Sequence, residues 1–176
     1  MTMNITFMPL TASHFPLLLK WLESPHVKKW LDPDVKYTLD AIQKKYGDYV
    51  NGYKLISETQ SIPIQAYIIC LNEQAIGYIQ LYKAYDFPKN NLLMDLPENL
   101  AAIDVFIGEE SYLSKNIGLT AIKTFLDQYV FLNYRYVLVD PEYTNERAVK
   151  AFEKAGFIIL KRINKTFWMM AHKNKE

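Results

Sequence analysis

Acidic side chains at the ends of predicted strands are the residues of this chain best suited to chemistry. Asp104 lies between Ile103 and Val105, so strand alternation places its carboxylate on the face opposite both neighbours. A carboxylate there can hold a protonated amine and accept its proton, directly or through water. The alternative is a strand-end aspartate satisfied by backbone amides. Asp140 and Glu142, after a later strand, can contact a second ammonium or form a network at the entry of the next helix.

A second region of chemical interest runs from a strand through a loop into a helix, over residues 103–118. The loop Leu113-Ser114-Lys115-Asn116-Ile117-Gly118 leads directly into the predicted helix. Backbone N–H groups at a helix N-terminus have no intrahelical partner, and together with the helix dipole they bind phosphate without a basic side chain. Asn116 tolerates a positive φ better than most residues, so the loop can keep a tight turn. This region is therefore predicted to be a phosphate site.

The elements that must position these residues are short and alternate in type. Strands are predicted over residues 5–10, 66–71, 75–84, 102–107, 136–140, 158–163 and 166–171. Helices are predicted over residues 11–22, 38–50 and 118–129, and from Asn145 onwards. The first helix should carry Phe15, Leu18, Leu19 and Leu22 inward. This order predicts one α/β domain over residues 1–176.

The segment Asp140–Phe157 joins a strand end, a helix and a second strand. Thr144 or Asn145 can cap the helix, and Gly156 is placed for a left-handed C-terminal cap. The expected buried face consists of Ala148, Ala151, Phe152 and Ala155. The combination of Asn145, Arg147-Ala148, Phe152-Glu153-Lys154 and Ala155-Gly156-Phe157 resembles the N-R-A-x-x-x-Y-E-K-x-G-F block of the GNAT superfamily of N-acetyltransferases.

This resemblance implies the GNAT acyl-CoA N-acyltransferase fold, of α/β (α+β) class, with a mixed sheet of about seven strands flanked by about four helices. It also implies acetyl-CoA as co-substrate and no metal. In that family the loop reads R/Q-x-x-G-x-G/A. Gly118 fits this pattern, whereas Leu113 replaces the Arg or Gln and Asn116 replaces the first Gly. Since backbone donors remain, coenzyme A binding is expected to persist. The resemblance assigns the cofactor Val105, Phe106, Ile107, Leu113, Ser114, Lys115, Asn116, Ile117, Gly118, Leu119, Thr120, Asn145, Phe152 and Lys154.

The N-terminal half resembles aminoglycoside 6'-N-acetyltransferases in three groups of residues. These are Trp21-Leu22 followed by His26 and Trp30, then Ile76-Gly77-Tyr78-Ile79-Gln80-Leu81-Tyr82, then Ile103-Asp104. The likeness implies an amine acceptor on a polycationic small molecule, with an aminoglycoside 6'-amine as precedent. It assigns the acceptor Trp21, Gln80, Tyr82, Asp140 and Glu142. The alternatives are a core role for Trp21, a sheet-covering role for Gln80 and Tyr82, and a satisfied loop position for His26.

The same likeness implies direct transfer, in which Asp104 positions and deprotonates the amine. Backbone N–H groups of Val105–Ile107 would then stabilise the oxyanion of the tetrahedral intermediate. The proton for the departing thiolate has no assigned source, because Phe152 stands where the family has a tyrosine. Solvent, the substrate ammonium and Tyr143 remain alternatives.

Two other functions fit parts of the sequence. Siderophore-type acyltransferases, which act on a hydroxylated lysine side chain, share the strand end Ile107-Gly108-Glu109, but their histidine just before the cofactor strand is missing. A degenerate member that binds coenzyme A without turnover would account for Leu113, Asn116 and Phe152, whereas Asp104 argues against it. A role in antibiotic resistance does not follow from the sequence, because similar pockets can serve other native acceptors.

Composition narrows the class of protein. Half of the 176 residues are hydrophobic and the formal net charge is +1, which favours a globular protein and no nucleic-acid partner. Residues 86–110 carry six acidic residues against one basic, and residues 145–176 carry eight basic against three acidic. This polarity suits an anionic nucleotide and a cationic amine, or two solvated faces. We expect a cytoplasmic protein without membrane segments, monomeric or homodimeric, in which Cys70 is a buried structural thiol.

Overall fold

The computed structural model describes residues 3–87, 93 and 95–174. The strands in this part of the chain are β1 (Ile5–Pro9), β2 (Tyr53–Leu55), β3 (Ser61–Pro63), β4 (Gln65–Leu71), β5 (Gln74–Lys83), β6 (Leu100–Ile107), β7 (Tyr136–Val139), β8 (Ile158–Ile163) and β9 (Thr166–His172). The α-helices are α1 (Phe15–Glu23), α2 (Pro25–Lys28), α3 (Leu39–Tyr46), α4 (Ile117–Phe125) and α5 (Glu146–Lys154).

Seven of the described strands form one sheet, in the order β1-β4-β5-β6-β7-β9-β8, and β2 pairs separately with β3. The sheet is mixed, because β6 and β7 are parallel whereas β1–β4, β7–β9 and β8–β9 are antiparallel. The predicted mixed sheet is therefore confirmed.

The chain divides into two compact units. The first consists of Met1–Gln80 and Val105–Lys115, and the second of Leu81–Asp104 and Asn116–Glu176. The expectation of a single domain over residues 1–176 stays a prediction.

The first unit packs α1 against α3. Trp21 and Leu18 are completely buried in α1, and Ile42 is completely buried in α3. Leu19, which was expected inside, is only half-buried, because the larger indole of Trp21 takes an inward position. The side chain of Thr38 accepts a hydrogen bond from the N–H of Ala41 and caps α3 as predicted.

Strand β4 pairs with β1 in this unit and carries the cysteine. Cys70 is buried, as expected, and burial raises the pKa of its thiol. The turn after β4 has positive φ at Asn72 (48°) and Glu73 (70°), the backbone of a tight hairpin turn.

In the second unit, β7 is a buried central strand between β6 and β9. Its residues Val137, Leu138 and Val139 are each at most 2% exposed. Helix α5 is buried through Val149 and Phe152. The alanines expected on its buried face, Ala148, Ala151 and Ala155, are only half-buried. That part of the prediction is corrected, because the larger Val149 takes the inward position. Within the described residues, no helix is long and apolar enough to span a bilayer.

Glu23 ties the end of α1 to the chain that follows it. One carboxylate oxygen accepts hydrogen bonds from Lys28 Nζ at 2.7 Å and from the N–H of Tyr37 at 2.8 Å, and the other accepts from Lys36 Nζ at 2.7 Å. The hydrogen bonds from Lys28, Lys36 and the Tyr37 amide lower the pKa of Glu23 from its usual 4.5 to about 2. The ionised carboxylate therefore stabilises the folded chain.

We expect this contribution to be complete above about pH 4.5 and to be lost as the pH falls towards 2, because the lowered pKa belongs to the folded state. Glu23→Gln should be less stable than the wild type at pH 7, and the difference should shrink in urea unfolding at successively lower pH. The exposed Glu58→Gln is the matched control and should show no such trend. A stability difference for Glu23→Gln that is constant from pH 7 to pH 3 would contradict the assignment.

Candidate functional site

Asp104 lies where β6 changes from a buried to a half-buried strand. Leu100 to Ile103 are at most 3% exposed, whereas Asp104 is half-buried. The parallel register pairs Leu100 with Tyr136 and Ala102 with Leu138, and Asp104 follows this paired segment by two residues. Ligands of parallel sheets bind at the carboxyl end of the parallel pairing, so Asp104, which lies in β6 just past that pairing, occupies a position suited to a ligand.

Asp140 occupies the corresponding position immediately after β7. It follows Leu138 by two residues, just as Asp104 follows Ala102. Because the two strands are parallel, their carboxyl ends point the same way. Two carboxylates of the second unit therefore follow the same end of one parallel strand pair, a relation that strand prediction alone did not reveal.

The residues after Asp140 are bound to the β8–β9 hairpin. The Phe167 N–H donates to the carbonyl of Pro141 and the Tyr143 N–H to the carbonyl of Lys165, both at 2.9 Å. The guanidinium of Arg162 lies 3.7 Å from the centre of the Tyr143 ring. Glu142 accepts a hydrogen bond from the Thr144 hydroxyl at 3.1 Å, which is the helix-entry network considered as its alternative role.

The N-terminus of α4 has the backbone expected of an anion site. Asn116 is left-handed with φ of 59°, as its residue type predicted, and Ser114 has the same φ. The side chain of Asn116 does not cap the helix, and the first intrahelical donor is the N–H of Thr120, which binds the Asn116 carbonyl at 2.9 Å. The preceding N–H groups of the helix, at Ile117, Gly118 and Leu119, point out of its N-terminus. Leu113 is half-buried, and Ser114 and Lys115 are exposed.

The ends of α5 form as the sequence indicated. Asn145 Oδ1 accepts the N–H of Ala148 at 3.2 Å, so Asn145 rather than Thr144 is the cap. At the other end Gly156 has φ of 100°, and the Phe157 N–H binds the carbonyl of Phe152 at 3.0 Å. The Phe152 ring is buried against Phe157, with centroids 5.3 Å apart, and Lys154 is exposed. Phe152 therefore contributes packing in this unit.

In the first unit, Trp21 is completely buried. Its indole N–H donates to Glu109 Oε1 at 2.8 Å, and its ring packs edge-on against Phe106. The ring offers no surface to a substrate in this structure, so the assignment of Trp21 to the acceptor site is corrected to a core role. His26 lies in the short helix α2 rather than in a loop, and its Nε2 is satisfied by the carbonyl oxygen of Ile107 at 3.2 Å. Because a carbonyl only accepts, Nε2 must carry a proton.

The predicted acceptor residues of β5 are partly enclosed. Gln80 is half-buried, and its side-chain oxygen accepts the hydroxyl of Tyr78 at 2.6 Å. The ring of Tyr78 stacks on Phe106, with centroids 5.6 Å apart. Tyr82 belongs to the second unit, where it is buried against Phe87. Gln80 is therefore the more accessible of the two candidates.

Sequence reasoning did not identify Gly108 or Lys20 as functional residues. It noted Glu109 only as part of a strand end shared with another family. The one signal in the sequence for Gly108 and Glu109 is a glycine followed by a glutamate at a strand end, and no signal indicates Lys20. Over the described ranges, no group of three or more His, Cys, Asp or Glu side chains is arranged to hold a metal ion.

The profile of the acetyltransferase (GNAT) domain family matches residues 11–165, and the chain belongs to this family of acetyltransferases. It is similar to aminoglycoside N(6')-acetyltransferase type 1 of Klebsiella pneumoniae, with 25% identity over 158 residues, which are 88% of this chain and 74% of that protein.

Two solved structures show the same fold. AAC(6')-Ib in complex with paromomycin and acetyl-CoA superposes with a TM-score of 0.81 at 22% identity, covering 97% of this chain and 94% of that one. The aminoglycoside N(6')-acetyltransferase of Legionella pneumophila gives a TM-score of 0.68 at 22% identity, over 98% of this chain and 94% of that one. The expected GNAT fold is confirmed.

We expect Asn116→Ala to lower the free energy of unfolding by about 1 kcal/mol, because alanine lacks the short polar side chain with which asparagine offsets the steric cost of the left-handed conformation. Asn116→Gly should stay near the wild type, since glycine adopts a positive φ freely. Urea unfolding of both variants, with the exposed Lys115→Ala as control, measures the difference. Equal stability of the alanine and glycine variants would contradict a left-handed Asn116.

Proposed function

We propose that this acetyltransferase transfers the acetyl group of acetyl-CoA to a primary amine of a polycationic small molecule, with an aminoglycoside 6'-amine as the acceptor. The observation that carries the proposal is the placement of Asp104 and Asp140, each two residues beyond the parallel β6–β7 pairing. Relatives named for aminoglycoside acetylation and a structural neighbour with acetyl-CoA bound support it.

The acceptor follows from charge. Two carboxylates beyond the same ends of one strand pair attract a molecule that carries more than one ammonium. Asp104 would hold the reacting amine, and Asp140 a second ammonium. Glu142 and Gln80 would add polar contacts, and Tyr82 would contribute an aromatic wall. A monovalent amine would lose the contact with Asp140, so polycations are preferred.

The chemical step requires a neutral amine. An alkyl ammonium has a pKa of about 10.4 and is almost fully protonated at neutral pH. Asp104 accepts its proton, directly or through water, and the amine nitrogen attacks the thioester carbonyl carbon. The tetrahedral intermediate carries an oxyanion, which backbone N–H groups of Val105, Phe106 or Ile107 would stabilise. Collapse breaks the carbon–sulfur bond and releases the coenzyme A thiolate, and the attacking nitrogen loses its second proton to solvent, which leaves the neutral amide.

Coenzyme A would bind through backbone rather than side-chain donors. The N–H groups of Ile117, Gly118 and Leu119 at the N-terminus of α4 suit a pyrophosphate, aided by the helix dipole. Leu113, Ser114, Lys115, Asn116, Thr120, Asn145, Phe152 and Lys154 are the further residues that we assign to the cofactor, Phe152 through packing. The exposed Lys115 and Lys154 are the side-chain cations of this set, and either suits a phosphate.

The departing thiolate needs no acid from residue 152. Phenylalanine has no proton to give, and Phe152 is buried in any case. A thiol of pKa about 8.5 leaves readily as the thiolate, so the proton taken from the ammonium can return through solvent. The absence of the family's tyrosine therefore leaves the transfer step possible.

Asp104→Asn is expected to lower kcat about 100-fold at pH 7, because an amide cannot accept the ammonium proton, while coenzyme A binding is retained. A thiol-release assay with acetyl-CoA and a panel of aminoglycosides, polyamines and hydroxylysine measures turnover, and calorimetry measures coenzyme A binding. Asp127→Asn, at an exposed position on the chain after α4, is the matched control and should keep full activity.

The panel also separates the other functions. Turnover of hydroxylysine alone would identify a siderophore-type acyltransferase. Coenzyme A binding without turnover of any amine would identify a degenerate member of the family. Full activity of Asp104→Asn would reject Asp104 as the base.

A further inference from the structure

The end of β6 in the first unit is an unusually constrained piece of backbone. The N–H groups of Gly108 and Glu109 both donate to the carbonyl oxygen of Ile76, at 2.8 and 3.1 Å. Two successive N–H groups on one acceptor mean that the chain turns out of the regular strand at this point. The carbonyl of Ile107 is contacted by His26 at 3.2 Å. The backbone just after Val105–Ile107 is therefore bound from two sides.

Trp21 adds a third contact, on Gly108. A Cβ at position 108 would lie 2.2 Å from the Cγ and Cδ2 atoms of the Trp21 ring. The indole thus rests directly on the Cα of Gly108, and no other residue type leaves room for it. Because Trp21 is completely buried, the ring cannot move aside without opening the core.

Glu109 holds this indole in place. Its Oε1 accepts the indole N–H at 2.8 Å and the ammonium of Lys20 at 2.6 Å. The hydrogen bond from Lys20 has the larger effect on the pKa of Glu109, and the bond from Trp21 adds to it. Both lower this pKa, so the carboxylate is ionised at neutral pH. The two donors differ in burial. The Lys20 side chain is 62% exposed, whereas the Trp21 indole is completely buried. Loss of the acceptor would leave a buried N–H without a partner.

We propose that Glu109 is a positioning residue for acetyl transfer, which keeps Trp21 on Gly108 and thereby keeps the backbone N–H groups of Val105–Ile107 in their working positions. The proposal rests on the proposed function, in which those N–H groups stabilise the oxyanion. Oxyanion stabilisation depends steeply on geometry, because donors displaced by about 1 Å lose most of their effect on the transition state. The effect of Glu109 should therefore fall on kcat rather than on the binding of acetyl-CoA.

Kinetics of three variants test the role. Glu109→Ala removes the acceptor and should lower kcat about tenfold, with KM for acetyl-CoA within about twofold of the wild type. Glu109→Gln keeps an oxygen that can accept the indole N–H and should restore kcat to within about threefold. Lys20→Ala removes the exposed ion pair and leaves the indole bond, so it is the matched control and should keep wild-type kcat.

Hydrogen exchange of the Gly108 amide gives a readout that does not need turnover. The exchange rate, followed by NMR, should rise about tenfold in Glu109→Ala and return towards the wild type in Glu109→Gln. It should not change in Lys20→Ala. If Glu109→Ala does not fold, Trp21→Phe replaces it, because this variant keeps an aromatic ring and removes the N–H donor. It should show the same fall in kcat and the same rise in the exchange rate as expected for Glu109→Ala.

The outcomes separate this proposal from the proposed function. Wild-type kcat in Glu109→Ala, or no rescue by Glu109→Gln, would overturn the positioning role even if the enzyme acetylates aminoglycosides. If the wild type turns over no amine, the proposed function fails. The exchange rate of the Gly108 amide then tests by itself whether Glu109 keeps Trp21 on Gly108.

Discussion

The proposed chemistry depends on one change along strand β6. From Leu100 to Ile103 the strand is buried, and Leu100 to Ala102 pair in parallel with β7. From Asp104 to Ile107 the strand is half-buried. A carboxylate inside the paired segment would have to be neutralised or paired, because a charge in an apolar sheet is costly. A carboxylate far outside it would be an ordinary surface charge. Asp104 lies at the boundary, half-buried and held on a rigid strand.

Backbone groups carry much of the remaining function. The loop before α4 has lost the family's Arg or Gln at Leu113 and its first Gly at Asn116, yet φ at Asn116 is 59° and the helix N-terminus keeps its shape. An anion site made of N–H groups needs the right backbone conformation more than particular side chains. The chain can therefore depart from the motif and still offer the backbone donors of the pyrophosphate site that we propose. At Phe152 the departure removes a hydroxyl and leaves the packing intact.

Features encoded by neighbouring residues were predictable. Thr38 and Asn145 cap their helices and Gly156 ends α5 in a left-handed conformation, because each of these outcomes depends on a few adjacent residues. The short β2–β3 hairpin and the one-turn helix α2 were missed, because three or four residues carry too little periodicity to be recognised. The buried face of α5 was assigned to alanines instead of Val149, since spacing alone does not say which of two adjacent stripes meets the core.

By itself, the sequence determined the family and the fold, and it supplied the proposals of acetyl-CoA as co-substrate and of Asp104 as the base, because these follow from motifs and from the order of elements along the chain. Only the tertiary structure decided that Trp21 is buried and bonded to Glu109, and that Asp104 and Asp140 follow the same end of one strand pair. Both facts join residues that are far apart in sequence. Strand register and side-chain burial are set by long-range packing, which no local pattern of residues records.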